Sequence, residues 1–104
     1  AMAHITGGGI AGNLCRVIPD GLTARIDLSR LRIPAIFRYI REQGEIQEDE
    51  MLRTFNCGAG LVLVAGREHA DTVKRLVSRQ CPCYEIGEII SGQEKVRMEG
   101  RMNW

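Results

Sequence analysis

The spacing of apolar residues along the chain predicts alternating helices and strands. After a run of glycines at 7–9, apolar residues recur at helical spacing: Ile10, Leu14, Val17 and Ile18. Pro19, Asp20 and Gly21 then predict a turn that ends this helix. In the next segment, A-R-I-D-L at 24–28, apolar and charged residues alternate, which is typical of a half-exposed strand.

Two short helices are predicted between residues 34 and 55. Pro34 suits the first position of one helix, and Gly44 suits its end. Residues 48–50 are all acidic and suit the start of the other, because carboxylates favour the positive end of the helix dipole. The apolar residues expected to face the core are Ile36, Phe37 and Ile40 in the first helix, and Met51, Leu52 and Phe55 in the second.

The second half of the chain predicts three strands and one helix. L-V-L-V-A at 61–65 is a continuous apolar run, typical of a strand covered on both faces. Residues 67–80 predict an amphipathic helix whose apolar face is formed by Ala70, Val73, Leu76 and Val77. Y-E-I-G-E-I-I at 84–90 and K-V-R-M at 95–98 read as two more strands. The predicted class is therefore α/β (α+β), with a mixed sheet of about four strands covered by about four helices.

The amino-acid composition of the chain argues against nucleic acid and membranes as binding partners. The chain has 104 residues and a net charge of +1, so it forms one domain whose charge attracts neither nucleic acid nor anionic lipid. Aromatic residues make up 5% of the chain, which argues against base stacking. No apolar run has the length of a membrane span, and no signal-peptide pattern appears. We therefore expect no nucleic-acid partner, no membrane partner and a cytoplasmic location.

The thiols and carboxylates indicate no metal site. Cys81 and Cys83 form C-x-C rather than the C-x-x-C of zinc ribbons, and no histidine pair follows. Cys57 invites a nucleophile hypothesis, but no histidine is spaced to suggest a pair. The pattern favours buried or incidental thiols, with the roles of Cys15 and the other three left open. The acidic run at 48–50 fits a solvated helix start better than a magnesium site.

Two glycine-rich segments are the candidates for chemistry: H-I-T-G-G-G-I at 4–10 and T-F-N-C-G-A-G at 54–60. Gly7, Gly8 and Gly9 open a helix, where free N–H groups bind phosphate well and Thr6 adds a hydroxyl. A tight turn under a neighbouring strand explains the same glycines equally well. For Asn56 a turn cap is favoured over an amide in a cleft, unless the two segments meet in space.

The two segments together resemble a known family. H-I-T-G-G-G-I-A-G-N-L at 4–14, R-V-I-P-D-G-L at 16–22 and E-M-L-R-T-F-N-C-G-A-G at 50–60 resemble the C-terminal half of the phosphoribosylformylglycinamidine cyclo-ligases, also called aminoimidazole ribonucleotide synthetases. The similarity continues to I-G-E-I-I-S-G at 86–92 and so covers nearly the whole chain. The combination of both glycine segments is specific, whereas either alone is not.

This resemblance implies a two-domain enzyme of purine biosynthesis. Such an enzyme uses ATP and Mg²⁺ to convert formylglycinamidine ribonucleotide to 5-aminoimidazole ribonucleotide, by phosphoryl activation of an amide oxygen and ring closure. Residues 1–104 are then expected to be a single domain, a C-terminal fragment whose N-terminal ATP-binding domain is absent. The fragment alone is expected to need no cofactor and to be inactive, and the complete enzyme to be a homodimer.

The resemblance also implies a binding role for several residues. Thr6, Gly7, Gly8 and Gly9 would lie near a phosphate of the substrate or of the nucleotide, and Asn56 and Gly58 would line the same cleft. His4 is added only because it belongs to the motif; no catalytic residue and no metal ligand is assigned. The alternatives are a non-catalytic anion- or nucleotide-binding module, or a related ATP-dependent enzyme such as selenophosphate synthetase or thiamine-monophosphate kinase. The T-F-N-x-G-x-G segment favours the cyclo-ligase among them.

Overall fold

Five strands and four α-helices form along the chain, which the computed structural model describes from Ala1 to Trp104. Short 3₁₀ turns lie at Leu28–Arg30 and Arg67–His69. The elements are β1 (Met2–His4), α1 (Gly9–Leu14), β2 (Leu22–Asp27), α2 (Ala35–Gly44), α3 (Glu48–Thr54), β3 (Leu61–Leu63), α4 (Ala70–Val77), β4 (Gly87–Ser91) and β5 (Val96–Glu99). None of the helices is long and apolar enough to cross a membrane.

The strands are divided between two sheets. β1 pairs with β3 in antiparallel register, with Ala3 opposite Val62. In the second sheet β2 is central, antiparallel to β4 and parallel to β5. The α/β class is confirmed, but five strands in two sheets replace the single predicted sheet of about four. The sequence pattern indicates which face of a strand is apolar and does not specify which strands become neighbours.

The core lies where α1 and α3 meet the strands. Ile10 and Leu14 of α1 and Met51 of α3 are buried, together with Ala24 and Ile26 from the apolar face of β2. These residues belong to one continuous apolar cluster. The alternation predicted for β2 is therefore confirmed. α1 ends at Leu14, earlier than predicted, and the buried Ile18 lies in the turn that follows.

Two predictions of burial are wrong. The run at 61–65 was expected to be covered on both faces, yet Leu61 is 56% exposed and only Val62 of β3 is buried. No residue of α4 is buried, and Leu76 on its apolar face is 50% exposed. Both elements border an open cleft of about 1680 Å³ between the two sheets. Their apolar residues therefore lack the covering layer that the sequence pattern implies.

Candidate functional site

The first glycine segment begins with a tight turn over residues 6–9. The Gly9 N–H donates to the Thr6 carbonyl at 3.1 Å, which closes a four-residue β-turn. Gly8 holds the third position with φ of 100°, the left-handed value that a type II turn requires there. The conformation of Gly8 is thus explained by the turn alone.

Gly9 is required by a close approach to α3. Its φ is 69°, and a Cβ at this position would overlap the backbone carbonyl of Leu52 and lie 3.3 Å from the carbonyl oxygen of Phe55. Gly7 differs from both of its neighbours, because a Cβ there would meet no heavy atom within 4 Å and its φ is not positive. The fold therefore needs a glycine at 8 and 9 but leaves the space around Gly7 open.

The side chain of Asn13 holds this segment from inside the protein. Its Nδ2 donates to the carbonyl oxygens of Thr6, Gly7 and Gly9 at 3.2, 3.3 and 2.8 Å. Its Oδ1 accepts from the Thr6 hydroxyl at 3.3 Å. Asn13 is only 4% exposed and lies beside Ile10 and Leu14 in α1. One buried amide therefore fixes the orientation of three peptide groups of the glycine segment.

The first turn of α1 leaves two backbone donors free. The Gly9 and Gly12 N–H groups donate to the carbonyls of Thr6 and Gly8, whereas those of Ile10 and Ala11 have no acceptor within the chain. No side chain caps the helix. Because α1 has only six residues, its dipole is small, and any attraction for an anion must come from local donors.

The second glycine segment contains a turn over residues 56–59. The Ala59 N–H donates to the Asn56 carbonyl at 3.0 Å, and both central residues, Cys57 and Gly58, have positive φ of 51° and 102°. These are the features of a type I′ turn. The Asn56 Oδ1 accepts from the Gly58 N–H at 2.8 Å, so this side chain caps its own turn. A Cβ on Gly58 would lie 2.9 Å from the Arg32 carbonyl oxygen, so close packing excludes a side chain there.

The fold brings the two glycine segments together. The Ile5 N–H donates to the Gly60 carbonyl at 2.9 Å, and Gly9 lies against the carbonyls at the end of α3. The two segments therefore meet in space through their backbones. Of the candidate residues, Gly58 alone lines the cleft between the sheets. Thr6, Gly7 and Gly8 lie on an exposed surface beside it.

Comparison with known proteins identifies the family of the chain. The sequence model of a family described as "AIR synthase related protein, C-terminal domain" matches residues 1–99. The chain belongs to this family. The resemblance drawn from the two glycine segments is therefore confirmed.

Three curated relatives of this AIR synthase related domain share one name. A phosphoribosylformylglycinamidine cyclo-ligase of Staphylococcus saprophyticus is 41% identical over 101 residues, which cover 96% of this chain and 30% of the relative. Cyclo-ligases of Xanthomonas oryzae and Xanthomonas euvesicatoria are 42% and 43% identical over 95% and 94% of the chain, again 30% of each relative. The chain thus spans about 30% of the length of the curated relatives it matches.

Asn13 is the residue of this AIR synthase related domain that the sequence analysis missed. It lies within the quoted H-I-T-G-G-G-I-A-G-N-L segment, but no role was assigned to it. The available signal was a polar amide three residues after Ile10 and one before Leu14, on the apolar side of a short helix. A buried amide in such a position needs hydrogen-bond partners, and nearby backbone carbonyls are the usual ones.

The other candidate side chains, His4 and the carboxylates at 48–50, do not come together in one site. His4 is exposed at the end of β1, opposite Leu61, and its side chain makes no hydrogen bond within the chain. Asp49 and Glu50 lie in the first turn of α3 and pair with Arg53, as expected for a solvated helix start. Glu48 accepts from the Met102 N–H and the Trp104 indole. No three His, Cys, Asp or Glu side chains lie close enough to hold a metal ion.

Cys57 is a buried thiol rather than a nucleophile. Its side chain is fully buried, and its Sγ lies 3.7 Å from the Met51 carbonyl oxygen. Burial, reinforced by the negative charge of Glu48, raises the pKa of the Cys57 thiol to about 11. The thiol therefore stays protonated at neutral pH, whereas nucleophilic chemistry needs the thiolate.

This raised pKa predicts a loss of stability in alkali. The native pKa of about 11 exceeds the unfolded value of 9.0, so the unfolded chain releases its proton first. The free energy of unfolding should therefore fall by about 1 kcal/mol between pH 9 and pH 10. Urea unfolding of the wild type and of Cys57→Ala at the two pH values measures this difference. An equal change in both proteins would show that Cys57 does not cause it.

Proposed function

We propose that this chain is the substrate-cleft domain of an ATP-dependent phosphoribosylformylglycinamidine cyclo-ligase. The observation that carries the proposal is the 41–43% identity to enzymes of that name over nearly the whole chain. The adjacency of the two glycine segments supports it, because the motif that specifies the resemblance is also one spatial unit. The enzyme is a ligase of de novo purine biosynthesis, and its location is cytoplasmic.

The reaction joins two parts of one substrate. In the proposed parent enzyme, ATP transfers a phosphoryl group to the amide oxygen of formylglycinamidine ribonucleotide. The amidine nitrogen then attacks the activated carbon, the ring closes, and phosphate leaves. We assign ATP and Mg²⁺ to the N-terminal domain of the parent. The carboxylates at 48–50 do not fit the metal, because Arg53 and the N–H groups of Met102 and Trp104 already engage them.

Within this domain we assign a phosphate to the surface formed by Thr6, Gly7, Gly8 and Gly9. Two observations support the assignment: the open space at the exposed Gly7, next to Thr6, and the unpaired N–H group of the half-buried Ala11. Asn56 and Gly58 form the adjoining wall through their backbone, since the Asn56 side chain is committed to its own turn. His4 is a further member of this surface.

The partners in the proposal are a domain of the same chain and a second copy of it. The N-terminal domain of the parent closes the substrate cleft, and the complete enzyme acts as a homodimer. The isolated 104 residues are then inactive in ring closure. The second candidate, a non-catalytic anion- or nucleotide-binding module, is favoured only by the observation that no three His, Cys, Asp or Glu side chains of these residues could hold a metal ion.

Thr6→Val and Gly7→Ala test the phosphate surface in the full-length parent. Gly7→Ala fills the open space, and Thr6→Val removes the hydroxyl that donates to the Asn13 Oδ1 beside it, so the KM of one phosphate-bearing substrate should rise roughly tenfold, a change of about 1.4 kcal/mol. Initial rates at varied concentrations of the ribonucleotide and of ATP show which of the two KM values rises. The substrate whose KM rises is the one whose phosphate this surface binds.

The matched control is Gly12→Ala. A Cβ at Gly12 also meets no heavy atom within 4 Å, but it lies one turn further along α1. Its kinetic constants should equal those of the wild type. Unchanged KM values and turnover in both Thr6→Val and Gly7→Ala would reject the phosphate assignment. Robust ring closure by residues 1–104 alone would reject the division of labour between the domains.

A further inference from the structure

The proposed function does not explain the cleft between the two sheets. We call it the inter-sheet cleft; it measures about 1680 Å³, and half of the residues that line it are hydrophobic. Ile26 and Ile89 border it from the three-stranded sheet, Val62 and Val64 from the region of β3, and Val73 and Val77 from α4. This volume exceeds what a small-molecule pocket usually requires.

The cations that line the inter-sheet cleft already have partners. Arg25 pairs with Glu88, Arg67 with Glu88 at 3.5 Å, and Lys74 with Glu85 at 4.0 Å. Arg30 pairs with Asp27, and the guanidinium of Arg32 lies over the Tyr84 ring. Because no lining cation is left free, the cleft offers apolar surface rather than a site for a phosphate or a nucleotide.

The strands bordering the cleft also have unpaired edges. β3 pairs only with β1, and β4 is the outer strand of its own sheet. Edge strands of this kind accept an additional extended segment through backbone hydrogen bonds, with apolar side chains filling the neighbouring pockets. The amphipathic helix α4, which has no buried residue, would provide the covering layer for such a segment.

Two observations identify the occupant. The curated relatives are more than three times as long as this chain, so the proposed parent contains much more polypeptide. In addition, Ala1 exchanges two backbone hydrogen bonds with Val64, at 2.8 and 2.9 Å, and Val64 lines the cleft. A polypeptide continuing before residue 1 would therefore emerge directly beside the cleft.

We propose that the inter-sheet cleft is the docking site of an extended segment that precedes residue 1 in the parent chain. This segment adds a strand between the two sheets and buries the apolar face of α4. The inference rests on the proposed function only in that the parent is a longer chain. It depends on no step of the ring-closure reaction.

Hydrogen exchange in the full-length parent tests the docking. The α4 amides should exchange slowly in the wild type, and Val73→Asp, inside the cleft, should speed their exchange by roughly tenfold or more. Thr72→Asp is the matched control, because Thr72 is exposed on the same helix, and it should change the exchange by less than about twofold. If Val73→Asp also exposes the amides of β2, the milder Val73→Thr replaces it.

Several results would overturn the proposal. One is fast α4 exchange in the wild-type parent, and another is an equal effect of Val73→Asp and Thr72→Asp. Light scattering of residues 1–104 that shows a dimer with protected α4 amides would assign the cleft to a second copy instead. A parent gene without codons before residue 1 would also reject it. A parent that protects α4 but closes no imidazole ring would reject only the proposed function.

Discussion

Gly9→Ala is expected to destabilise the chain by about 3 kcal/mol or more, a large share of the stability of a domain of this size. An alanine at the φ of 69° costs about 1–2 kcal/mol in backbone strain. Its Cβ would also overlap the Leu52 carbonyl and lie 2.9 Å from the Leu52 carbonyl carbon, so α3 must move away from α1. Because both of these helices contribute buried residues to the core, that movement disturbs the core packing of Ile10 and Met51.

Chemical denaturation with urea, followed by far-UV circular dichroism, measures this loss. Gly7→Ala is the matched control two residues away, where a Cβ meets no heavy atom and the backbone is not left-handed. Its free energy of unfolding should stay within about 0.5 kcal/mol of the wild type. A Gly9→Ala protein as stable as Gly7→Ala would contradict the close approach of α1 to α3.

This contrast decides how the three consecutive glycines should be interpreted. Gly8 and Gly9 are required by a turn and by a helix contact, so a loss of activity in their variants carries no information about a ligand. Gly7 has no such structural duty. It is therefore the glycine whose substitution separates ligand binding from folding. The choice between a turn and a phosphate surface is made residue by residue rather than for the run as a whole.

Local chemistry predicted much of the helical structure. The acidic residues at 48–50 do begin α3, and α2 ends at Gly44, as predicted. In α2 the left-handed residue is Glu45 rather than the glycine before it, and Ile36 of the predicted apolar stripe is 57% exposed. Capping and dipole effects act within one helical turn, which is why they can be read from the sequence.

Long-range features could not be predicted in the same way. The apolar run at 61–65 and the apolar face of α4 are those of covered elements, yet both border the inter-sheet cleft. The spacing of apolar residues depends on every surface that covers them in the complete protein, including any polypeptide outside these residues. The exposed apolar residues Leu61 and Leu76 are thus the places where the pattern and the structure disagree most.

The candidate site shows the same division between local and distant contacts. The Asn56 turn involves residues two or three apart, and the favoured interpretation of Asn56 as a turn cap is confirmed by its bond to the Gly58 N–H. The role of Asn13 depends on carbonyls four to seven residues away, which only the path of the glycine segment brings to one amide. The apolar spacing of α1 indicates that Asn13 is buried, but it does not identify these carbonyls as its partners.

Asn13→Asp is expected to cost about 3 kcal/mol or more at pH 7, because it replaces a donor that faces three carbonyl oxygens by an acceptor. The introduced carboxylate would be buried, and both burial and the facing carbonyls raise its pKa above the ordinary value of about 3.9. In the native protein it therefore binds a proton more strongly than in the unfolded chain. The penalty should shrink as the pH falls from 7 towards 4, since the protonated carboxyl is neutral and donates one hydrogen bond.

The test compares urea unfolding of the wild type, Asn13→Asp and Asn13→Ala at pH 7 and pH 5. Asn13→Ala should lose about 2 kcal/mol at both values, because it removes the hydrogen bonds without adding a charge. Asn56→Ala is the control for a less buried asparagine with one capping bond, and it should lose about 1 kcal/mol or less. A penalty for Asn13→Asp that does not depend on pH would show that this side chain does not face the carbonyls of the glycine segment. In that case Asn13 could not fix the orientation of the peptide groups that the proposed phosphate surface requires.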